Sequence, residues 1–309
     1  MKYRGVIAMK TDLLSFTSNG IYCEKADVYL DPWRPVEKAI ITHAHADHSR
    51  NGHNKYIAHH HSIPIMRHRL GAITASGVNW GESFVINGVK FSLYPAGHII
   101  GSSLVRVEYK GQIAVFTGDY KLEDDGLSTP LDMQKCDLLI TECTFGLPVF
   151  KWQSQAMVFN EMLHWWEENT ANKHNSLIYA YSLGKAQRIL YQLGKTNQPI
   201  LVHPSIAHIN TAIEHLIQFK GVTVLSAEVD PKKYPGALLV VPPSAENTKY
   251  LSKWGPLKTA VASGWMATRG NRRRRNVDRG FVLSDHCDFE ALNQCIEFSG
   301  AEKVICTHG

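Results

Sequence analysis

An apolar run, Ala39-Ile40-Ile41, leads into Thr42-His43-Ala44-His45-Ala46-Asp47-His48, and this junction constrains the fold more than any other stretch. The run reads as a buried strand. His43 and His45 alternate along its continuation, so their imidazoles point the same way. Asp47 and His48 fall on the turn that follows, where the backbone can swing two more donors around one point. Imidazole and carboxylate together suit zinc, and also manganese or iron. A tag remnant would be a run at a terminus, whereas this set is internal and spaced by small residues. The chain is therefore expected to fold so that a strand end opens into a metal pocket.

The same arrangement recurs. His98 stands between Gly97 and Gly101 at the end of one apolar run, Asp119 follows Gln112–Gly118, and Glu142 ends Leu138–Glu142. His286 and His308 follow later strand-like runs. Donors at successive strand ends, converging on one edge, are how layered α/β scaffolds build sites. Asp31, just ahead of Pro32, is either a turn-initiating residue or an outer hydrogen-bond partner that orients a metal-site histidine. His53, His59, His60, His61 and His68 share a segment with Pro64 and polar neighbours and read as surface histidines. Asn87-Gly88 and Lys110-Gly111 each sit between alternating runs and predict hairpins.

From about residue 150 the pattern changes to strands alternating with helices. Gln155–Asn169 reads as a helix with Trp165 and Trp166 in the core, and Ile206–Phe219 as another. Donors resume after residue 280. The expected organisation is one discontinuous domain, 1–150 and 281–309, interrupted by an inserted domain over 151–280. Within the insertion, Ser182-Leu183-Gly184-Lys185 at a helix start could hold a phosphate on backbone N–H groups, or be an ordinary strand-to-helix turn. Arg269, Arg272, Arg273, Arg274, Arg275 and Arg279 crowd around a single acid, Asp278, as a solvated loop or a phosphate-contacting patch. Trp265 could stack on a base or fill a core.

Composition excludes some alternatives. Hydrophobic residues make up 44% and charged residues 20%, far from disorder. No apolar run approaches the ~20 residues of a membrane span, and no basic-then-apolar leader opens the chain, so no membrane partner is expected. Six cysteines without a Cys-x-x-Cys pair read as reduced thiols, which places the protein in the cytoplasm. A net charge of +5 does not by itself imply nucleic acid.

His43-x-His45-x-Asp47-His48, followed by His98, Asp119 and a late histidine, resembles the ligand series of metallo-β-lactamase-fold hydrolases. Glu142 in Thr-Glu-Cys-Thr-Phe-Gly, His286 in Ser-Asp-His-Cys-Asp-Phe and His308 in Thr-His-Gly resemble the three further motifs of the β-CASP nucleases, in the same order. Ser-Leu-Gly-Lys-Ala-Gln-Arg and Ser-Gly-Trp-Met-Ala look most like the bacterial ligase-associated DNA exonucleases. This resemblance implies an α/β (α+β) fold, an αββα sandwich with an inserted β-CASP cap closing over a nucleic-acid groove. It implies two divalent ions, zinc or else manganese. His43, His45 and His98 would hold one and Asp47, His48 and His308 the other, with Asp119 bridging. Catalytic roles fall to Asp47, Asp119, Glu142 and His286, with Glu142 keeping His286 oriented toward the scissile phosphate and a metal-activated hydroxide attacking it. The arginine run, Trp265, Ser182 and Lys185 would meet nucleic acid. The function implied is a DNA repair exonuclease acting on single-stranded ends, in association with a DNA ligase and helicase. An RNA-processing nuclease of the same fold is the alternative, since RNA-acting members usually keep the last-motif histidine. A small-molecule thioesterase or lactonase is disfavoured by the insertion, Glu142, His286 and the arginines.

Overall fold

Short apolar runs separated by turn residues assemble, in the computed structural model, into three six-stranded sheets. The structure describes residues 13–307, apart from 247 and 275. The chain forms two compact units, Met1–Gly146 with His286–Gly309, and Leu147–Asp285.

In the first unit, one sheet runs in chain order: β1 (Ser15–Phe16), β2 (Ile21–Cys23), β3 (Val28–Leu30), β4 (Lys38–Ile40), β5 (Lys55–His59) and β6 (Ala75–Val78). The other contains β7 (Ser83–Ile86), β8 (Val89–Pro95), β9 (Ser103–Tyr109), β10 (Gln112–Phe116), β11 (Leu138–Glu142) and the last strand, β18 (Lys303–Thr307), which lies on the outer side of β11. The two expected hairpins are present, with register pairs Ile86–Val89 and Tyr109–Gln112 closing their two-residue turns. Period-two alternation decides which face is buried. Phe91, Leu93, Val105, Val107, Ala114 and Phe116 meet Ile21, Val28, Leu30 and Ile40 in one core. The opposite faces of β9, β10 and β11 present Leu104, Val115 and Leu139 to Leu292 and Cys295 of α7 (Phe289–Ser299). Helix α1 (Ser62–Leu70) packs on β5. The layering is therefore helix, sheet, sheet, helix, as expected.

Two of the five histidines expected at the surface are buried, His53 and His59. His53 accepts the Val36 N–H at 3.3 Å. The His59 ring stacks on Trp80 with centroids 3.5 Å apart and planes 8° from parallel. An aromatic partner twenty-one positions away in sequence is invisible to local patterning. Burial first, then neighbouring His61 and His60, pull the His59 pKa down to about 3. Below pH ~6.5 the unfolded chain protonates this ring while the folded chain does not, so the native state loses stability as pH falls from 6.5 toward 3. One such group contributes at most about 1.4 kcal/mol per pH unit. His59→Phe keeps the stacking and should flatten the acid limb of stability, measured by urea unfolding at pH 4.5 to 7; an unchanged slope would show that His59 titrates normally.

The second unit holds one all-parallel sheet in the order β14-β13-β15-β12-β16-β17, formed by β12 (Asn175–Tyr179), β13 (Ile200–Val202), β14 (Val222–Val224), β15 (Leu238–Val241), β16 (Leu257–Ala262) and β17 (Arg279–Phe281). Its helices are α2 (Gln155–Ala171), α3 (Lys185–Leu193), α4 (Pro204–Ala212), α5 (Lys249–Ser252) and α6 (Arg269–Arg274). Trp165 and Trp166 are buried in its core, as expected. Two boundaries differ from the sequence reading. Strand β17 pairs with β16, so residues up to Asp285 belong to this unit. Helix α4 ends at Ala212 rather than at Phe219, because Glu214 and Leu216 donate to carbonyls three residues back and tighten the chain into turns.

Candidate metal centre

Strand β4 stops at Ile40, earlier than the apolar run suggested. The N–H of Thr42 goes to Asp31 Oδ1 at 2.7 Å instead of to a neighbouring strand, which releases the chain into the histidine loop. Asp31 has a left-handed backbone at φ 40, tolerable for a short polar residue. Its second oxygen accepts the Thr42 hydroxyl at 2.5 Å and lies 2.7 Å from His48 Nδ1.

These bonds fix tautomers. The Thr42 hydroxyl has one proton and gives it to Asp31, so at 3.0 Å it accepts from His43 Nδ1–H, leaving the lone pair on His43 Nε2. His48 likewise donates from Nδ1 to Asp31 and turns Nε2 inward. A hydrogen bond of this kind from the far nitrogen is what orients metal-ligating histidines.

His43 Nε2 and His98 Nε2 lie 3.1 and 3.0 Å from His45 Nδ1. Asp119 presents one oxygen to each side: Oδ2 lies 3.6 Å from His43 Nε2 and 3.7 Å from His98 Nε2, while Oδ1 lies 3.4 Å from His48 Nε2. Two glycines permit this convergence. A Cβ on Gly118, at φ 53, would fall 2.5 Å from the Thr42 hydroxyl, and one on Gly97, at φ 71, would fall 2.3 Å from the Lys121 carbonyl.

Nitrogen ligands at about 2.0–2.1 Å from a tetrahedral zinc are separated from one another by roughly 3.3 Å. The observed spacings bracket that value. Converging imidazole lone pairs at 3.0 Å repel unless a cation or proton lies among them, so the donor set fits a divalent ion. Electrostatics agree. Burial, then His48, drives the His43 pKa well down. Burial also opposes charge on His48, but Asp119 and Asp31 overcome it and raise its pKa. The extra proton on His48 is one a cation would displace.

Beside this group, the His286 and His98 rings are 4.7 Å apart. His286 Nδ1 donates to Glu142 Oε1 at 2.8 Å. Glu142 is buried at the end of β11 and accepts from the Tyr120 and Thr144 amides at 3.3 Å each. Asp119, Glu142 and His286 offer ligand-type atoms within 4.8 Å of one another. Asp47 stands apart: its carboxylate is mostly exposed and 3.9 Å from His48 Nε2. His308 and Arg275 lie outside the described residues. Sequence reasoning did not single out Thr42 or Tyr120, which act through a hydroxyl and a backbone amide that no residue pattern marks.

In the second unit, Lys185 is buried against Asp285, its Nζ 2.7 Å from Oδ2, rather than presented to phosphates. Ser182 shares a 2.7 Å hydrogen bond with Ser205. Trp265 is 45% exposed, which removes the core reading, and meets Phe150 edge-on at 5.6 Å. Arg269, Arg273 and Arg274 are exposed. No helix among the described residues is long and apolar enough to cross a membrane.

No family model matches the chain. A probable DNA ligase of Opitutus terrae is 28% identical over 296 residues, covering 94% of this chain and 29% of that protein. Endoribonuclease YSH1 of Kluyveromyces lactis is 23% identical over 293 residues, covering 75% of this chain and 38% of the other. RNase aCSPSF2 of Saccharolobus solfataricus is 31% identical over 129 residues, covering 41% and 26%. The chain thus spans well under half the length of these relatives. A solved structure of a protein of unknown function from Enterococcus faecalis shares the fold, with a TM-score of 0.62 at 12% identity over 87% of this chain and 75% of that one. Relatives named for RNA cleavage and for DNA ligation indicate a nuclease of the β-CASP metallo-β-lactamase family.

Proposed function

We propose that the chain is a metal-dependent phosphodiesterase that degrades nucleic acid, with single-stranded DNA ends as the favoured substrate. The observation that carries this reading is the Glu142–His286 pair set against the imidazole–carboxylate cluster, because a small-molecule hydrolase has no need of that second acid–base pair. Two divalent ions, zinc or manganese, held by His43, His45, His98, His48 and Asp119 with Asp47 and His308, would lower the pKa of water and offset charge on phosphoryl oxygens. Asp119 serves both halves of the cluster through its two oxygens. Asp31 and Thr42 keep Nε2 of His48 and His43 turned inward. Glu142 holds His286 Nδ1, so a proton carried on Nε2 is the one delivered to the leaving oxygen. The first unit is the metallo-β-lactamase domain and the inserted second unit the β-CASP cap. In that cap, Trp265 offers a stacking face and the arginines of α6 offer phosphate contacts, so binding should weaken steeply with salt.

DNA is favoured because nearly the whole chain aligns with one segment of a protein named as a DNA ligase, which also supports a functional tie to end joining. The RNA-cleaving relatives favour the second reading, an RNA-processing nuclease with the same residues in the same roles. End-labelled single-stranded DNA and matching RNA, each offered to wild type and His286→Ala, separate the two. Stepwise loss of DNA from one end, reduced roughly 10²–10⁴-fold in the variant at full metal content, is the expected result. Preferential RNA cleavage would move the chain to the second reading, and loss of metal in the variant would refute the role given to His286.

A further inference from the structure

The loop that carries His43, His45, Asp47 and His48 has no ladder of its own, so its buried carbonyls must find other donors. Ala44 and Ser49, on either side of His45, Asp47 and His48, are fully buried. Arg69, in the last turn of α1, donates from Nη1 to the Ala44 carbonyl at 2.6 Å and to the Ser49 carbonyl at 3.3 Å. Between those two contacts the Ser49 amide closes onto the His45 carbonyl at 2.8 Å. One guanidinium nitrogen therefore spans the neck of the loop. Removing it would leave two buried carbonyls without this donor and let the neck open.

We infer that Arg69 is a positioning residue for the metal centre, setting the spacing of His43, His45 and His48 by tying Ala44 to Ser49. This rests on the metal reading of the site. Arg69 touches no reacting atom and is not itself a ligand. Its cationic charge also stands near the Asp47 carboxylate. An outer partner that orients ligands typically changes metal affinity 10–100-fold.

The test is zinc affinity of the full chain, measured by competition with a chromogenic chelator, for wild type, Arg69→Met and Arg69→Gln. Met keeps the aliphatic stem and removes every donor, while Gln restores one uncharged amide donor. The expected result is a roughly 10–100-fold loss for Met, an intermediate loss for Gln, and a smaller rise of Tm on adding zinc for both. If the Met variant does not fold, the Gln variant alone decides, and wild-type affinity in it overturns the inference. A Met variant that folds and binds zinc like wild type also overturns it, whatever its Tm without metal. Wild type that takes up no zinc or manganese would instead defeat the metal reading beneath it, and the two failures are told apart by that first measurement.

Discussion

Asp119→Ala should abolish cleavage by on the order of 10⁴-fold or more and strip bound metal as well. The reasoning starts from the two oxygens. Oδ2 faces His43 and His98, and Oδ1 faces His48, so one carboxylate is shared by both halves of the donor set. Removing a single imidazole weakens one half; removing Asp119 weakens both and also deletes the only acid among the donors grouped with His43, His45 and His98 in the described residues. Each metal centre is worth several kcal/mol of charge stabilisation, and each 1.36 kcal/mol is tenfold in rate. The loss should therefore exceed that in His286→Ala, which keeps the donor set and removes a proton donor. Metal stoichiometry by atomic emission on dialysed protein checks the first part, and single-turnover cleavage checks the second. Asp119→Ala that retained two equivalents of zinc would sink the bridging role even if activity fell. Asp119→Asn is the finer probe, since it keeps the shape and one carbonyl oxygen but removes the charge that draws His48 toward its protonated, cation-like state.

What the sequence revealed about this site follows from how the donors are carried. His43, His98, Asp119 and Glu142 lie at strand ends or within three residues past them, and a strand end is legible as an apolar run followed by a polar residue. The hairpins at Asn87-Gly88 and Lys110-Gly111 were legible for the same reason, since turn chemistry is local. What stayed hidden depends on partners remote in sequence. His59 becomes a core residue only because Trp80 lies flat against it. Thr42 matters only because Asp31 reaches back to it across the sheet. Arg69, one of three basic residues in the last turn of α1, gives no local sign that it reaches two carbonyls some twenty residues earlier.

Lys185 is the sharpest case of such a remote partner, and it supports the second large prediction. Asp285 is buried, with Lys185 Nζ 2.7 Å from Oδ2 and Arg188 Nη1 2.6 Å from Oδ1. Arg188 also donates to the Ser284 carbonyl at 2.6 Å and to Gln155 Oε1 at 3.0 Å. Two cations thus share one buried carboxylate, and the Lys185 side chain is committed to it. Asp285→Asn preserves volume but leaves both cations without the charge that compensates their burial. Breaking a buried pair in this way costs roughly 3–5 kcal/mol, a fall in Tm of about 6–20 °C for a domain of this size. Lys185→Met added to Asp285→Asn removes one of the stranded cations, so the double variant should be more stable than Asp285→Asn alone. Thermal and urea unfolding of the full chain check both. If the double variant is instead no more stable than Asp285→Asn, the lysine is not coupled to Asp285. A stable double variant that still binds single-stranded DNA like wild type would remove Lys185 from the proposed nucleic-acid contacts, with Trp265 and the exposed Arg269, Arg273 and Arg274 the next residues to test.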